Sequence, residues 1–523
     1  MEKEKGRGKR GLFRVIFGRT TFFVLFLLIQ VAALAWVYMW VDEKYQAYGQ
    51  GLFFVIGALL SIYILNEKQS ASFKMAWLVP VLLFPVFGTL FYIFIQLQME
   101  TKILARRISE ITKETDCYLK QDPETFDRLE KKSIREANLA NYMRDWGGYP
   151  VCARTNIKYY PLGDDFFPDL LEHLRGARKF IFLEFFIIKK GIMWDSILEI
   201  LEEKAAHGVE VRVMYDGMNL FSNLPYDYPR ELEAKGIQCR ICNPIRPAIS
   251  TSQNNRDHRK ILVIDGHTAF TGGVNLADEY INRKIRFGHW KDNAVCVRGE
   301  AVKSFTVMFL RMWNVCSREQ DYGFGKYLEL GDYFYPPELN MSGFVIPFAD
   351  SPMDKEAVGH QLYLDILYQA KKYVYIMTPY LVLEDDLVTA LSYAAKRGVD
   401  TAIIMPHIPD KKYAFMLAHS YYPELIEAGV RIYEYTPGFV HSKTFVSDGE
   451  KAVVGSINMD FRSQYLNFEC GVYLYRCPAI RDIRRDFDET FEKSKRMTLL
   501  DCRDMPFWHR FTGRALRLIA PLM

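Results

Sequence analysis

A short motif that occurs twice is the feature that most constrains the fold of this chain. In HRKILVIDG and again in HSKTFVSDG, a histidine is followed two residues later by a lysine, and the run ends in aspartate and glycine. A charged pair beside an apolar strand costs free energy unless other groups compensate its burial. Two intact copies of such a pair argue against coincidence. The repeated residues are His258, Lys260 and Asp265 in the first copy and His441, Lys443 and Asp448 in the second.

Both copies predict a β-hairpin that presents its histidine and lysine side by side. Residues i and i+2 of a strand project to the same face, and an Asp-Gly pair favours a tight turn. The returning segments, Gly-Gly-Val-Asn and Gly-Ser-Ile-Asn, would bring Asn275 and Asn458 back to the imidazoles. The aspartates lie at odd spacing from the histidines and are expected off that face. Two such hairpins would bring two histidines, two lysines and two asparagines together.

This set of side chains predicts a site for phosphate transfer. Lys260 and Lys443 supply ammonium groups and Asn275 and Asn458 supply amide donors, which together suit a phosphate group. One imidazole can attack phosphorus while the other protonates the leaving alcohol and later deprotonates the incoming one. The lysines neutralise the charge that a metal ion would otherwise neutralise, so we expect neither a metal nor a cofactor. The mechanism predicts ping-pong kinetics through a phosphohistidine.

The surroundings of the two motifs repeat as well. An apolar strand-like run at 177–188, a helical stretch and the strand VEVRVMYDG recur as the run at 370–381, a second helical stretch and VDTAIIMP. Strands that alternate with helices of this length indicate parallel sheets with crossover helices. The predicted fold class is therefore α/β, with a duplicated body and the active site between its two halves.

The N-terminal region predicts a membrane anchor of transmembrane helices. Apolar runs extend from Thr21 to Val41, from Gly51 to Leu65 and from Met75 to Ile95, and the first and third match the length of a bilayer span. The second run spans only if residues 46–50 are included. A cleavable signal peptide fits poorly because more apolar runs follow, and buried helices of a soluble core are the other alternative. The basic N-terminus predicts a cytoplasmic start for a multi-pass protein of the cell membrane, and two or three spans leave the side of the body open.

The two motifs resemble the double HxKxxxxD signature of the phospholipase D superfamily. The resemblance extends over about residues 150–500, and the phrases FLEFFII, FGHWKDNAVCVRGEAV and GSINMDFRSQYLNFE are similar to those of its bacterial cardiolipin synthases. The apolar segment MAWLVPVLLFPVFGTLFYIF resembles a membrane segment of the same family. That family usually has two N-terminal spans, whereas this sequence has three apolar runs.

The resemblance implies a transferase that makes cardiolipin from two molecules of phosphatidylglycerol. His258, which we assign by analogy as the nucleophile, would displace glycerol to form phosphatidyl-histidine, and His441 would act as acid and base. The hydroxyl of the second phosphatidylglycerol would then resolve the intermediate. The implied partners are phosphatidylglycerol, other anionic phospholipids and the bilayer, and no nucleic acid is expected.

The superfamily also places a carboxylate behind each histidine to fix its tautomer. Asp292 in HWKD follows His258, and Glu469 in NFE follows His441, at comparable distances along the chain, so these two are the candidates. The aspartates of the motifs are instead expected to hold the turns and to pair with nearby cations.

Alternative functions remain open beside this one. One alternative is a different enzyme on the same fold: a membrane-bound hydrolase, a different phosphatidyltransferase or a nuclease. A net charge of only +4 and the apolar runs disfavour the nuclease. Another is an inactive scaffold, which would be expected to have lost a histidine or lysine from one copy. The predicted regions are an anchor over 1–98, a helical linker over 99–149, halves over 150–340 and 341–500 with motifs at 256–283 and 436–463, and an amphipathic C-terminal helix over 501–523.

Two features outside the motifs need separate interpretation. Arg510 and Arg514 lie at helical spacing near Phe507 in the C-terminal segment. This pattern is typical of a helix on an anionic membrane surface, and a helix packed on the body is an equal alternative. Cys239 and Cys242 form the one CxxC pair and are interpreted as ordinary strand cysteines, because a zinc site needs four ligands.

Overall fold

The chain divides into two compact units. The smaller contains the N-terminal helices, and the larger, which we call the body, comprises Leu104–Pro244 and Asn255–Arg514. Both copies of the motif belong to the body. The computed structural model describes residues 28–32, 35, 39, 43–96, 99–244, 254–317, 319–328, 342–354 and 356–522.

Three helices of the N-terminal unit are described from beginning to end. They are α1 (Glu43–Asn66), α2 (Ala71–Leu83) and α3 (Pro85–Gln96). The third apolar run, expected as one span, is divided at Phe84 between α2 and α3, because Pro85 has no N–H to continue the helical hydrogen bonds. The rings of Trp77 and Tyr92 meet edge to face, with centroids 5.3 Å apart, so the two helices pack together.

The predicted spans meet a limit in this unit. Among the described residues, every helix lacks the combination of length and apolar character that crossing a bilayer requires. Most of the first apolar run, from Thr21 to Val41, lies outside the described residues.

The predicted linker is helical and packs on the body. It contains α4 (Met99–Thr115), a 3₁₀ turn (Asp116–Tyr118), α5 (Pro123–Lys132) and α6 (Ile134–Asp145). The side chains of Asp122 and Ser133 cap α5 and α6 by accepting backbone N–H groups. Glu136 on α6 is buried, forms an ion pair with Lys451 at 2.5 Å and accepts a hydrogen bond from Tyr473. These contacts fix α6 against the second half of the body.

The first half of the body is a seven-stranded mixed sheet. Its strands are β1 (Thr155–Tyr160), β2 (Phe180–Phe185), β3 (Glu210–Asp216), β4 (Gln238–Cys242), β5 (Lys260–Ile264), β6 (Thr268–Gly272), β8 (Ala294–Gly299) and, outside the sheet, β7 (His289–Lys291). Its helices are α7 (Gly163–Arg175), α8 (Ile192–Ala206), α9 (Asn219–Ser222), α10 (Tyr228–Glu233), α11 (Val302–Val315) and α12 (Gly325–Leu328), with a 3₁₀ turn at Asp278–Ile281. The strand order is β1-β8-β6-β5-β2-β3-β4. Strand β2 is buried along its whole length, as expected for a strand with both faces covered.

The second half repeats this arrangement and adds one strand. Its strands are β9 (Phe344–Asp350), β10 (Tyr373–Met377), β11 (Leu381–Val382), β12 (Asp400–Pro406), β13 (Arg431–Tyr435), β14 (Gly438–Val440), β15 (Thr444–Ser447), β16 (Lys451–Gly455), β17 (Met459–Asp460), β18 (Glu469–Tyr475) and β19 (Ser494–Arg496). Its helices are α13 (Val358–Gln369), α14 (Asp385–Lys396), α15 (Lys412–His419), α16 (Tyr422–Glu427), a π-helical turn (Arg462–Leu466), α17 (Ala479–Glu492), α18 (Leu499–Asp504) and α19 (Phe507–Arg517), followed by a 3₁₀ turn (Ala520–Leu522). The sheet order is β9-β18-β16-β15-β10-β12-β13-β19.

The two sheet orders match strand for strand, apart from the additional β19, so the predicted duplicated α/β body is confirmed. Within the two large sheets, the expected parallel pairing is found between β2, β3 and β4 and between β10, β12 and β13. The other neighbouring strands of both sheets are antiparallel, and in each half a tight Asp-Gly turn joins one such pair, β5 with β6 or β15 with β16.

Two smaller expectations are corrected by the structure. Cys242 at the end of β4 forms a disulfide with Cys316, which follows α11, whereas Cys239 is a buried free thiol. The interpretation as ordinary strand cysteines therefore holds for Cys239 and is wrong for Cys242, whose partner lies far away in the sequence. The C-terminal segment forms two helices rather than one, because Pro506 separates α18 from α19.

Candidate active site

Each motif folds as the hairpin that the sequence predicts. Strand β5 pairs with β6 and β15 pairs with β16, both antiparallel. The turn residues Asp265, Gly266, Asp448 and Gly449 have positive φ angles of 51°, 72°, 56° and 70°. Two successive residues of positive φ make the tight turn for which Asp-Gly is the preferred pair. The local prediction is therefore confirmed in both copies.

The two lysines of the motifs are buried beside their histidines. Lys260 Nζ donates a hydrogen bond to the backbone carbonyl of His258, and Lys443 Nζ donates to that of His441. Burial lowers the pKa of Lys260 to about 8 and that of Lys443 to about 7. An ammonium group has three N–H donors, so each lysine retains donors for an anion.

Both imidazoles of the motifs are uncharged at neutral pH. Burial lowers the pKa of His258 to about 4 and that of His441 to about 3. The ammonium group of Lys443 also lowers the pKa of His258, and that of Lys260 lowers the pKa of His441. Charges act on one another strongly only at short range, so the titratable groups of the two hairpins share one site.

The carboxylates behind the histidines are exchanged between the halves. His258 Nδ1 lies 2.9 Å from both carboxylate oxygens of Glu469, and His441 Nδ1 lies 2.6 Å from Asp292 Oδ2. Both candidate carboxylates lie against an imidazole, but each contacts the histidine of the opposite half, so the expected pairing within each half is wrong. Burial alone would raise the pKa of both carboxyls, yet each is held below its usual value by the imidazole that it contacts. Each histidine is therefore oriented by a residue of the opposite half.

Short backbone bridges between the halves produce this exchange. Strand β7 pairs in parallel with β14, which places Asp292 next to His441, and His441 N donates to the carbonyl of Lys291 at 2.7 Å. In the other direction, an isolated bridge joins Asp257 to Phe468, and His258 N donates to the carbonyl of Phe468 at 2.9 Å. In both directions, the backbone N–H of the motif histidine donates to a carbonyl of the opposite half. The two halves therefore make the same type of contact with each other twice.

The two carboxylates have different surroundings. Glu469 accepts hydrogen bonds from Ser456 Oγ at 2.5 Å and from Asn467 Nδ2 at 3.2 Å. At the position that corresponds to Ser456, the first half has Gly273, where an added Cβ would lie 2.0 Å from Asp292 Oδ1. The shorter aspartate therefore excludes a side chain at this position, whereas the longer glutamate is supported by one.

The aspartates of the motifs bind backbone amides rather than cationic side chains. Asp265 accepts hydrogen bonds from three successive N–H groups, those of residues 178–180, at 2.7 to 2.8 Å. Asp448 does the same for residues 371–373 at 2.7 to 3.0 Å. Each aspartate thus holds its turn and fixes the start of the adjacent strand, β2 or β10. The expected role in the turn is found, and the main partners are amides.

The two asparagines differ in what they contact. Asn275 accepts a hydrogen bond from Ile187 N and donates to Tyr280 Oη, whose ring packs on His441 with centroids 5.4 Å apart. It therefore reaches the imidazole of the opposite half through Tyr280. Asn458 is buried, and its Oδ1 has no hydrogen-bond partner among the described residues.

The structure has buried ion pairs beside the site that the sequence motifs do not predict. Lys291, which directly precedes Asp292 in the chain, binds both carboxylate oxygens of Asp486 through Nζ at 2.7 and 2.8 Å. Arg259, next to His258, pairs with Glu184 at 2.5 Å. The signal was present in the charged residues that flank both the motif and HWKD, since charges in a buried strand need partners.

A separate group of side chains has the composition of a metal site. His360, Glu384 and Asp386 place one ligand atom each within 4.8 Å of the others. The imidazole is already engaged, because its Nδ1 lies 2.9 Å from Gln464 Oε1 and its Nε2 lies 2.7 Å from Asp386 Oδ2. Although burial lowers it, the pKa of His360 is raised overall by Asp386. The arrangement is that of an ion pair of the second half.

Two family profiles match this chain. The one described as cardiolipin synthase, PLD-like domain, matches residues 170–313 and 363–491, more than half of the chain, and includes both motifs. The one described as phospholipase D-nuclease N-terminal matches residues 53–96.

Relatives and solved structures agree with these profiles. The cardiolipin synthase of Alkalihalophilus pseudofirmus is 33% identical over 469 residues, which cover 89% of this chain and 92% of that protein. The cardiolipin synthase of Geobacillus kaustophilus is 34% identical over 481 residues, which cover 90% and 94%. The crystal structure of phosphatidylserine synthase from Haemophilus influenzae aligns with a TM-score of 0.56 and 16% identity, over 75% of this chain and 97% of that one, and supports the fold alone.

Proposed function

Because this chain belongs to the family of cardiolipin synthases with a phospholipase D-like domain, we propose that it transfers a phosphatidyl group between two molecules of phosphatidylglycerol. The products are cardiolipin and glycerol. The observation that carries the proposal is the exchanged arrangement of two uncharged imidazoles, each bound to a buried carboxylate and accompanied by a buried lysine.

His258 is the proposed nucleophile. Because its Nδ1–H is bound by Glu469, the lone pair of Nε2 is free to attack phosphorus. A bond forms between Nε2 and phosphorus, and the bond from phosphorus to the glycerol oxygen breaks. The ammonium groups of Lys260 and Lys443 balance the charge on the phosphoryl oxygens, in the way that fixed donors stabilise a transition state.

His441 is the proposed acid and base. A bound phosphodiester brings negative charge to the site and raises the pKa of this imidazole, so that it can carry a proton. It gives that proton to the departing glycerol oxygen. It then takes a proton from the hydroxyl of the second phosphatidylglycerol as this oxygen attacks phosphorus and releases His258. The cycle ends with both imidazoles in their starting states.

We also infer that the N-terminal region anchors the enzyme in the cell membrane as a multi-pass segment with a cytoplasmic N-terminus. The three apolar runs and the basic N-terminus support this inference, as does the family match at residues 53–96. Both lipid substrates would then be reached from the bilayer. Protease protection in intact cells and spheroplasts, compared with carbonate-washed membranes, tests the anchoring and gives the side of the body.

The activity is tested with purified full-length protein in detergent and phosphatidylglycerol as the sole lipid. We expect equal amounts of cardiolipin and free glycerol, whereas phosphatidic acid as the main product would make the protein a hydrolase. His258→Ala should lose turnover and the acid-labile phosphoenzyme. The matched control is His207→Ala, which removes an exposed imidazole whose Nδ1 lies 2.7 Å from the carbonyl oxygen of Glu203. Full activity of the His258 variant would end the assignment.

A further inference from the structure

The C-terminal helix α19 lies on the body with an unusual face inward. Gly513 sits so close to α15 that an added Cβ would be 2.3 Å from the carbonyl oxygen of Met416. His509 Nε2 lies 2.9 Å from Nδ1 of His419, which is itself bound to the buried carboxylate of Glu434 at 2.8 Å. The inward face of α19 therefore includes a histidine and a glycine.

The aromatic residues of α19 point away from the body. The exposed fractions of Phe507, Trp508 and Phe511 are 62%, 71% and 54%. Their rings contact one another, with centroids 5.4 to 6.0 Å apart, and form one continuous patch. A surface helix of a soluble protein normally turns its apolar face to the core, and a clustered exposed patch of this kind marks a surface that another apolar phase covers.

The charge on this helix has a single sign. Arg510 and Arg514 are both exposed and lie beside the aromatic rings on the helix. No aspartate or glutamate occurs in the sequence after Asp504. The helix therefore combines exposed aromatic rings with positive charge that no acidic residue of the same segment opposes, which suits an anionic partner.

We propose that α19 is an interfacial helix that rests on an anionic phospholipid bilayer. Phe507, Trp508 and Phe511 enter the boundary between headgroups and acyl chains, and Arg510 and Arg514 bind lipid phosphates. A second copy of the chain fits less well, because a symmetric contact through this patch would bring arginines of like charge together. The proposal rests on the proposed function only in taking phosphatidylglycerol as the anionic lipid.

The first experiment uses tryptophan fluorescence of the full chain reconstituted in vesicles. Lipids that carry bromine on their acyl chains quench tryptophan rings that enter the bilayer. We expect brominated phosphatidylglycerol to quench the wild type more than Trp508→Phe, and the difference to shrink with brominated phosphatidylcholine. The matched control is Trp146→Phe, since Trp146 has a similar exposed fraction of 67% but lies in the body outside α19.

The second experiment measures cardiolipin synthesis at two physical states of the substrate. Replacement of Phe507 and Phe511 by serine should raise the apparent KM for phosphatidylglycerol vesicles at least about tenfold, given the apolar area lost from the bilayer. Turnover of dispersed short-chain phosphatidylglycerol should stay unchanged, because no interface is needed.

Two results would overturn the proposal. One is equal quenching of the wild type and Trp508→Phe by brominated phosphatidylglycerol. The other concerns quenching of Trp508 fluorescence by acrylamide. If protection from this quencher increased with protein concentration rather than with lipid concentration, the patch would be a contact between copies. The quenching does not depend on turnover, so a protein that makes no cardiolipin would refute the proposed function and leave this test readable.

Discussion

The exchange of carboxylates predicts which variants share a kinetic defect. Glu469→Gln removes the charge bound to His258, and Asp292→Asn removes the charge bound to His441, although each lies in the opposite half. Both changes preserve the size of the side chain and one oxygen acceptor. We therefore expect Glu469→Gln to resemble His258→Ala and Asp292→Asn to resemble His441→Ala.

The size of the effect follows from the charge that the hydrogen-bond acceptor loses, and the full contribution of a charged hydrogen bond is its upper limit. A hydrogen bond to a charged group contributes about 1.5–3 kcal/mol, which corresponds to about 10- to 150-fold in the rate of the step that uses it. The direction of the pKa change is also fixed, because each carboxylate raises the pKa of the imidazole that it contacts. Without Glu469, the pKa of His258 falls further, and the imidazole becomes a weaker nucleophile.

The assay separates the two roles with an activated substrate. A phosphatidyl ester of an acidic phenol needs no proton for departure of its leaving group, so it can form the phosphatidyl-enzyme without a general acid. After an acid-free quench, we expect His441→Ala and Asp292→Asn to accumulate labelled protein that fails to pass the lipid to an acceptor. His258→Ala should form none, and Glu469→Gln should form it slowly.

Two outcomes would contradict different parts of this reasoning. Suppose that Glu469→Gln accumulated the phosphatidyl-enzyme while His258→Ala stayed unlabelled. Glu469 would then not act through His258, and the carboxylates would not act across the halves. If the labels were reversed, so that His258→Ala and Glu469→Gln accumulated phosphatidyl-enzyme, the exchange would stand and His441 would be the nucleophile. The wild type, which turns over fully, supplies the reference rate for both steps.

Further predictions concern the lysines, the glycine beside a carboxylate and the disulfide. The ratio kcat/KM for phosphatidylglycerol should fall as pH rises through about 7, because Lys443 loses its proton there and binds the anionic substrate less well. Gly273→Ala should abolish synthesis by placing a methyl 2.0 Å from Asp292, whereas Gly325→Ala, which meets no atom within 4 Å, should match the wild type. Cys316→Ser should lower the free energy of unfolding in urea by about 4 kcal/mol, the loop entropy of a 74-residue separation.

Local features of the site follow directly from the sequence. The Asp-Gly pairs predict the two hairpins, and the spacing of His258 and Lys260 predicts that both belong to one site, because turn preference and strand geometry act over a few residues. The family resemblance implies Asp292 and Glu469, because a carboxylate is expected after each histidine.

The exchange between the halves lies beyond such reasoning. It depends on β7 and β14, which are three residues long each and carry no strand signal of their own. Pairing between segments so distant in the chain is decided by how the two sheets pack, which periodicity does not encode. The same limit explains the disulfide of Cys242, whose partner Cys316 meets it only in the folded body.

The exchange makes the active residues of each half of the body depend on the other half. Since each imidazole is oriented by the opposite half, neither half holds a complete site, and a change behind one carboxylate alters the histidine of the other motif. The first half has Gly273 behind a short aspartate, and the second has Ser456 behind a longer glutamate. The two carboxylates therefore differ in length and in the groups that hold them, so each half sets the surroundings of the histidine in the other half.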